Sequence, residues 1–252
     1  SFLVAMDKFN EHLSAKVIVF ACSMYNIQHT VTPVNGKLQV KLECERPDVE
    51  IRYTMDGKEP TDRSLLYKSP LMVTGTQTIK CTTYRAGRQM GKTLTLPLVW
   101  NKATAKPVLG NTQAGKILVN GIRGSLRQSD FEWHSWESSD SVAFTIDLQK
   151  KESLRSVSVG CITNYGMAAH KPADIEVWVS NDNRDYRKVS GKQFTDGEIF
   201  REGTFKEDVV LDLNKEIGRY VRIIAKGAGE CPATHVRPGQ EARIYFDEVM
   251  IE

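Results

Sequence analysis

Ala143-Phe144-Thr145-Ile146-Asp147-Leu148, Leu154-Arg155-Ser156-Val157-Ser158-Val159 and Ile175-Glu176-Val177-Trp178-Val179 share one pattern. Across residues 142–189, apolar and polar side chains alternate at the two-residue period of a β-strand. The alternation breaks only at clusters that favour turns: Gln149 to Glu152, and Ser180-Asn181-Asp182-Asn183, after which Tyr186-Arg187-Lys188-Val189 resumes it. This predicts three strands and a hairpin in an antiparallel sheet with one buried face. Trp178 alternates with Val177 and Val179, and from sequence it is free to face either side.

Outward from this stretch the chain stays rich in strands. Beyond residue 102 the pattern predicts a loop at Asn120-Gly121-Ile122-Arg123-Gly124-Ser125, an aromatic stretch from Phe131 to Trp136, and further strands over 205–211, 219–225 and 242–251. Upstream, strands are predicted at Leu38 to Leu42, Glu50 to Thr54, Gln77 to Thr82 and Thr93 to Leu96. Met55 to Thr61 reads as a turn, because Asp56 and Gly57 tolerate positive φ and Pro60 blocks pairing as a central strand. The polar joint Asn101 to Pro107 separates the two regions.

The fold class expected is therefore all-β. A small immunoglobulin-like sandwich occupies residues 28–101 and a jelly roll residues 102–252, while residues 1–27 carry one helix. In that helix Phe2, Met6, Phe9 and Leu13 form an apolar stripe with no helical partner in the chain. Two readings of the stripe stay open: its partner lies upstream of this sequence, or it packs on the next domain.

Composition narrows the function. Net charge is +3, from 34 basic and 31 acidic residues, so no concentrated basic face for nucleic acid is implied. The longest apolar run, Val17 to Cys22, is six residues, against about twenty needed to span a bilayer. The five cysteines, at 22, 44, 81, 161 and 231, lack C-x-x-C spacing, and most read as buried thiols, with a Cys44–Cys81 bridge left open.

Tyr53-Thr54-Met55-Asp56-Gly57-Lys58-Glu59-Pro60-Thr61, followed by Ser64, Tyr67, Pro70 and Thr78-Ile79-Lys80, resembles the β-domain that follows the catalytic barrel in many bacterial family 20 β-N-acetylhexosaminidases. By that resemblance the opening helix is the last helix of such a barrel. The second region resembles the discoidin, or coagulation factor 5/8 C-type, domain, a galactose-binding-like jelly roll that includes family 32 carbohydrate-binding modules. The residues that carry this likeness are Ile146-Asp147-Leu148, Val177-Trp178-Val179-Ser180-Asn181-Asp182, Arg219-Tyr220-Val221-Arg222 and Asp247-Glu248-Val249. Cys231-Pro232, His235, Gly239 and Phe246-Asp247-Glu248 are similar to the version attached to Bacteroides-type hexosaminidases.

Asp247-Glu248 invites comparison with the adjacent Asp-Glu pair of family 20 hydrolases. Within a terminal strand, however, neighbouring side chains point to opposite faces and do not converge on one bond. The chain itself is therefore expected to be inactive, with the chemistry of a β-N-acetylhexosaminidase parent lying in an upstream catalytic domain.

The resemblance also implies a calcium ion held by an early loop and a late Glu, which falls here on Asn120, Ser125 and Glu248. Asn120 stands where a carboxylate is expected, which weakens such a site; the alternative is a hydrogen-bonded loop beside a buried Glu. For a sugar ligand, three loops offer aromatic faces and polar groups, and Trp136, Tyr165, His170 and His235 are the candidates. Trp133 reads more as a core plug than as a platform. The expected partner is a glycan bearing N-acetylhexosamine or galactose-type sugar, in a periplasmic, outer-surface or secreted setting. The rival expectation is a purely structural pair of domains packed on the catalytic barrel.

Overall fold

The structure is a computed structural model that describes residues 22–111, 113–137 and 141–252. The helix expected over residues 2–13 lies outside the described residues. The chain divides into two compact units, one made of residues 22–31 and 39–98 and the other of residues 32–38 and 99–252. The changeover thus falls slightly ahead of the Asn101 to Pro107 joint.

The strands ahead of residue 99 are short: β1 (Gln28–Val34), β2 (Lys37–Glu43), β3 (Glu50–Thr54), β4 (Leu65–Leu66), β5 (Leu71–Val73), β6 (Gln77–Arg85), β7 (Arg88–Gln89) and β8 (Leu94–Leu98). They form two sheets, one ordered β1-β2-β5 and one ordered β4-β3-β6-β7 with β8 paired to β6. β2 shows why: Leu38, Val40 and Leu42 are buried while Lys37, Lys41 and Glu43 are exposed, so the period of two sorts the strand into a dry and a wet face. The predicted turn closes as expected, with Gly57 at φ +77° and the Lys58 N–H donating to Asp56 Oδ1 at 3.1 Å. Tyr67 and Tyr84 tie the sandwich together: the Leu42 N–H donates to the Tyr67 hydroxyl (3.1 Å), and the Tyr84 hydroxyl donates to the Pro60 carbonyl (2.9 Å). Cys44 and Cys81 are free thiols, so the bridge left open by the sequence is not made. Burial pushes the Cys81 thiol up to about 12.

The second unit contains β9 (Val108–Leu109), β10 (His134–Glu137), β11 (Ser141–Asn164), β12 (Asp174–Ser180), β13 (Arg187–Gln193), β14 (Thr204–Lys226) and β15 (Arg243–Ile251), with a one-turn helix α1 (Asp196–Ile199). The order is β10-β15-β11-β14-β12-β13, and β9 pairs with β11. Here the structure departs from the sequence reading. The strands predicted on either side of Gln149 to Glu152 are one bent strand, β11, and those predicted over 205–211 and 219–225 are one bent strand, β14. The two pair antiparallel throughout, with register shifts between Asp147 and Glu152 and between Leu154 and Ser156. The bend comes from residues in the left-handed region, Gln149 on one strand and Asn214 and Lys215 on the other. The Gln149 N–H donates to Asp147 and the Asn214 N–H to Asp212, so each kink is closed by its own aspartate. A polar cluster signals that the chain turns, but it does not tell a hairpin from a bulge.

The bends make two layers out of one ribbon. Before the kink, β11 is flanked by β9 and by the end of β14, which also carries β12. After it, β11 is flanked by β15 and the start of β14. Phe144, Ile146 and Leu148 from the first half share a core with Val157 and Val159 from the second, joined by Ile175, Val177, Ile223 and Phe246. Burying each such side chain stabilises the fold by about 1.5–3 kcal/mol. Trp178 settles on the outer face of β12, where its indole N–H donates to Glu176 (2.8 Å), while Val177 and Val179 face the core.

Candidate functional site

At one end of the second unit three loops meet. The first follows Ser125 and carries Phe131. The second is the 3-10 turn Tyr165–Met167, which closes β11 and ends with Ala168 in the left-handed region. The third is the excursion between β14 and β15, whose base is closed by the Cys231 N–H donating to the Gln240 carbonyl (2.8 Å) and the Gly239 N–H donating to the Cys231 carbonyl (2.9 Å). Side chains link the loops: Asn164 Nδ2 donates to Gln128 Oε1 (2.9 Å), the Tyr165 hydroxyl to the Thr234 carbonyl (3.4 Å), and Arg237 Nε to the Gly166 carbonyl (2.5 Å).

Beneath them lies a histidine pair. His170 and His235 are 1% and 4% exposed, and their Nε2 atoms are 3.2 Å apart. The other nitrogens fix the wiring. His170 Nδ1 lies 3.1 Å from the Ile199 carbonyl, which only accepts, so Nδ1 carries the proton and Nε2 is a lone pair. His235 Nδ1 accepts the Arg237 backbone N–H at 3.0 Å, so His235 carries its proton on Nε2 and donates it to His170. Burial pushes His170 down to about 4 and also lowers His235, next to which Arg237 adds its positive charge, so both rings are neutral near pH 7. Tyr165 covers His235 at 3.9 Å between ring centroids, and Phe200 meets His170 edge-on at 4.9 Å.

This geometry bears on three of the four sugar-binding candidates. His170 and His235 do come together, but buried, so their nitrogens brace the loops rather than face a sugar. Trp136 is half-buried on β10 and lies on the core, stacked on Phe144 with ring centroids 6.2 Å apart and tilted against Phe246 at 5.3 Å. It is a packing residue, because alternation along β10 turns Trp136 inward. Trp133 is likewise buried, and its indole N–H donates to the Ser125 carbonyl (3.1 Å). Of the four candidates, Trp136 and Tyr165 are both partly open to solvent, and of these two Tyr165 is the one on the linked loops.

Two exposed residues that the sequence reading did not single out belong to these loops. Phe131 is 96% exposed, and Arg237 lies on the solvent side of the third loop. A loop aromatic carries no alternation to say which way it points, so nothing in the pattern marked Phe131.

Asp247 and Glu248 are both 0% exposed. Asp247 accepts the Gly124 N–H (2.8 Å), Arg123 Nε (2.9 Å) and the Glu248 N–H (2.6 Å), which occupies its carboxylate with structure rather than chemistry. Glu248 Oε2 accepts the Gly121 N–H at 3.0 Å; its Oε1 meets no partner, and burial pushes its pKa well above the usual carboxylate range. Asn120 Oδ1 accepts the Ile122 N–H (2.9 Å), and the Ser125 hydroxyl donates to Asp130, away from Glu248. Calcium seeks six to eight oxygens. Asn120 Oδ1, the Ser125 hydroxyl and Glu248 Oε2 are engaged in these hydrogen bonds, and of the three side chains only Glu248 keeps an oxygen without a partner.

Residues 32–95 match the chitobiase/beta-hexosaminidase C-terminal domain, and residues 102–237 match the F5/8 type C domain. No curated protein matches the chain. Among solved structures, chitosan-binding module 1 from a chitosanase/glucanase of Paenibacillus sp. IK-5 is 14% identical, with 61% of this chain and 98% of that one covered and a TM-score of 0.39. The C-terminal domain of a chitobiase from Bacteroides fragilis is also 14% identical, covering 52% and 76%, with a TM-score of 0.30. CpGH89CBM32-5 from Clostridium perfringens, solved with GalNAc-beta-1,3-galactose, is 16% identical, covering 49% and 78%, with a TM-score of 0.33. With more than half of its residues within that match, the chain belongs to the F5/8 type C family.

Proposed function

We propose that this chain is an accessory region of a β-N-acetylhexosaminidase, and that its second unit holds a glycan of N-acetylhexosamine or galactose type at the loop end around Phe131. The observation that carries this reading is the succession, in one chain, of a chitobiase/hexosaminidase C-terminal domain and an F5/8 type C domain. The loop end supplies suitable chemistry. Phe131 presents a bare ring on which the apolar face of a pyranose can stack, and Arg237, Asn164 and Tyr165 supply polar groups for its hydroxyls. The buried histidine pair keeps the loops in place before the sugar arrives, which lowers the entropic cost of binding. The catalytic carboxylates belong, on this proposal, to a separate domain of the same enzyme, working outside the cytoplasm.

Calorimetric titration of the chain with N-acetylglucosamine, N-acetylgalactosamine and galactose tests it. Saturable millimolar binding is expected, weakened about five- to tenfold by Phe131→Ala with unchanged thermal stability. Absence of saturable binding to all three sugars, or binding that ignores Phe131, overturns the proposed site and leaves the structural reading.

A further inference from the structure

The buried pair is not made of two donors but of three. The thiol of Cys231, itself 3% exposed, joins His170 and His235, and the ligand atoms of all three lie within 4.8 Å of one another. We propose that His170, Cys231 and His235 form a binding site for a borderline transition-metal dication of the zinc class, which clamps the second and third loops together. This proposal does not depend on the glycan reading.

The donor set selects the ion. Two imidazoles and one thiol suit zinc or cobalt(II), whereas calcium and magnesium want oxygen, and among the described residues no carboxylate joins the cluster. The spacing is close to that of a metal shell. Zinc sits about 2.0–2.1 Å from nitrogen and about 2.3 Å from sulfur, so neighbouring ligand atoms of a tetrahedral site lie roughly 3.3–3.8 Å apart. The two Nε2 atoms, at 3.2 Å, are already close to the nitrogen–nitrogen value, and a nitrogen–sulfur separation of at most 4.8 Å has to close by no more than about 1.3 Å to reach the roughly 3.5 Å of such a shell. His170 is oriented as metal-bound histidines usually are: its Nδ1–H is anchored on the Ile199 carbonyl and its Nε2 lone pair faces the cluster. Phe200 and Tyr165 form apolar walls against the two rings.

Loading the ion is a proton exchange. In the metal-free wiring one proton, on His235 Nε2, bridges the rings. On binding, that proton moves to His235 Nδ1, the Arg237 N–H gives up its acceptor, and the Cys231 thiol loses its proton to solvent as the metal–sulfur bond forms. The net release is one proton per ion, leaving a fourth coordination position for water. The ion thus replaces a hydrogen-bonded bridge by a stronger one at the same point between the loops.

The test uses the whole chain, stripped with a chelator and titrated with cobalt(II) chloride. Expected are one equivalent bound, the visible d–d absorption of a tetrahedral site, and a thiolate-to-cobalt charge-transfer band; zinc then displaces cobalt and bleaches both. Cys231→Ser abolishes the charge-transfer band, and His235→Asn weakens cobalt binding at least tenfold, while Cys44→Ser leaves both unchanged. Zinc raises the thermal midpoint by several degrees, and calcium at the same concentration does not. Because Cys231→Ser and His235→Asn perturb a buried site, far-ultraviolet circular dichroism and tryptophan emission are recorded for both, and the wild-type titration stands by itself if either unfolds. Absence of a charge-transfer band in the wild type, or a band of equal strength in Cys231→Ser and His235→Asn, overturns the site.

Discussion

Replacing Arg123 by methionine isolates the buried charge on which the β15 end of the second unit depends. Arg123 Nε donates to Asp247, which has no exposed surface, while Arg123 Nη2 reaches Asp208, whose side chain is 38% exposed. Methionine keeps roughly the length of the side chain and removes the bonds to both aspartates. Breaking a buried pair by removing one partner costs about 3–5 kcal/mol, because the remaining carboxylate has neither water nor a counter-charge. Asp247 still accepts the Gly124 and Glu248 N–H groups, which favours the lower end, about 3 kcal/mol. The bond to Asp208 adds little, since exposed pairs contribute about 0–1 kcal/mol. For a unit of this size, 3 kcal/mol lowers the thermal midpoint by about 6–12 °C. Tryptophan emission is the assay of choice, because Trp100, Trp133, Trp136 and Trp178, all four tryptophans of the chain, lie within Val99–Glu252. Asp208→Asn should shift the midpoint by only a degree or two, and the double variant Arg123→Met/Asp247→Asn should recover most of the loss. A loss below about 1 kcal/mol in Arg123→Met, or an equal loss in Asp208→Asn, refutes the reasoning.

Two further outcomes follow from the same packing. Gly160→Ala would place its methyl carbon 1.9 Å from Asp247 Oδ1 and 2.7 Å from Arg123 Nη2, so it should cost about 3 kcal/mol or more in urea unfolding and combine non-additively with Arg123→Met; a nearly neutral substitution counts against the close approach. Asp147 receives both Nε and Nη2 of Arg219, at 2.8 and 2.9 Å, and the Arg219 guanidinium holds its carboxyl below the usual value of 3.8. A depressed carboxylate stabilises the fold fully above 3.8 and loses that contribution as pH falls through its folded value. Asp147→Asn should therefore cost about 1–2 kcal/mol at pH 7, with the gap to wild type closing in acid; a gap that stays constant down to pH 3 or widens removes Arg219 as the cause.

The sequence was most legible where one face of a strand is wet. Glu50 to Thr54 is predicted and found as β3 without a residue's error, and the alternation of Ile175, Val177 and Val179 places β12 and its inner face. It was least legible where a polar cluster admits two geometries. Gln149 to Glu152 reads as a turn between two strands, yet the strand kinks there and keeps its partner, because pairing with β14 continues on both sides. The site fared similarly. His170 and His235 stand 65 residues apart in the chain, and only the folded loops bring their rings to 3.2 Å. Their burial, which decides what they can do, is a property of Tyr165 and Phe200 above them. For Trp136, a single aromatic in a short edge strand carries too little alternation to reveal that its ring lies against Phe144 and Phe246.

The kinked pair β11 and β14 has a mechanical consequence. Since each strand contributes one segment to either layer, neither layer can peel away while the other stays intact, and the unit should melt as a single cooperative block. Assembly must also wait for partners far apart along the chain, such as Ser141 with Lys226 and Asn164 with Thr204, which predisposes it to slow folding. In return, the loops that cap this ribbon hang from a frame whose integrity does not depend on them, so they can change sequence and ligand while the frame persists.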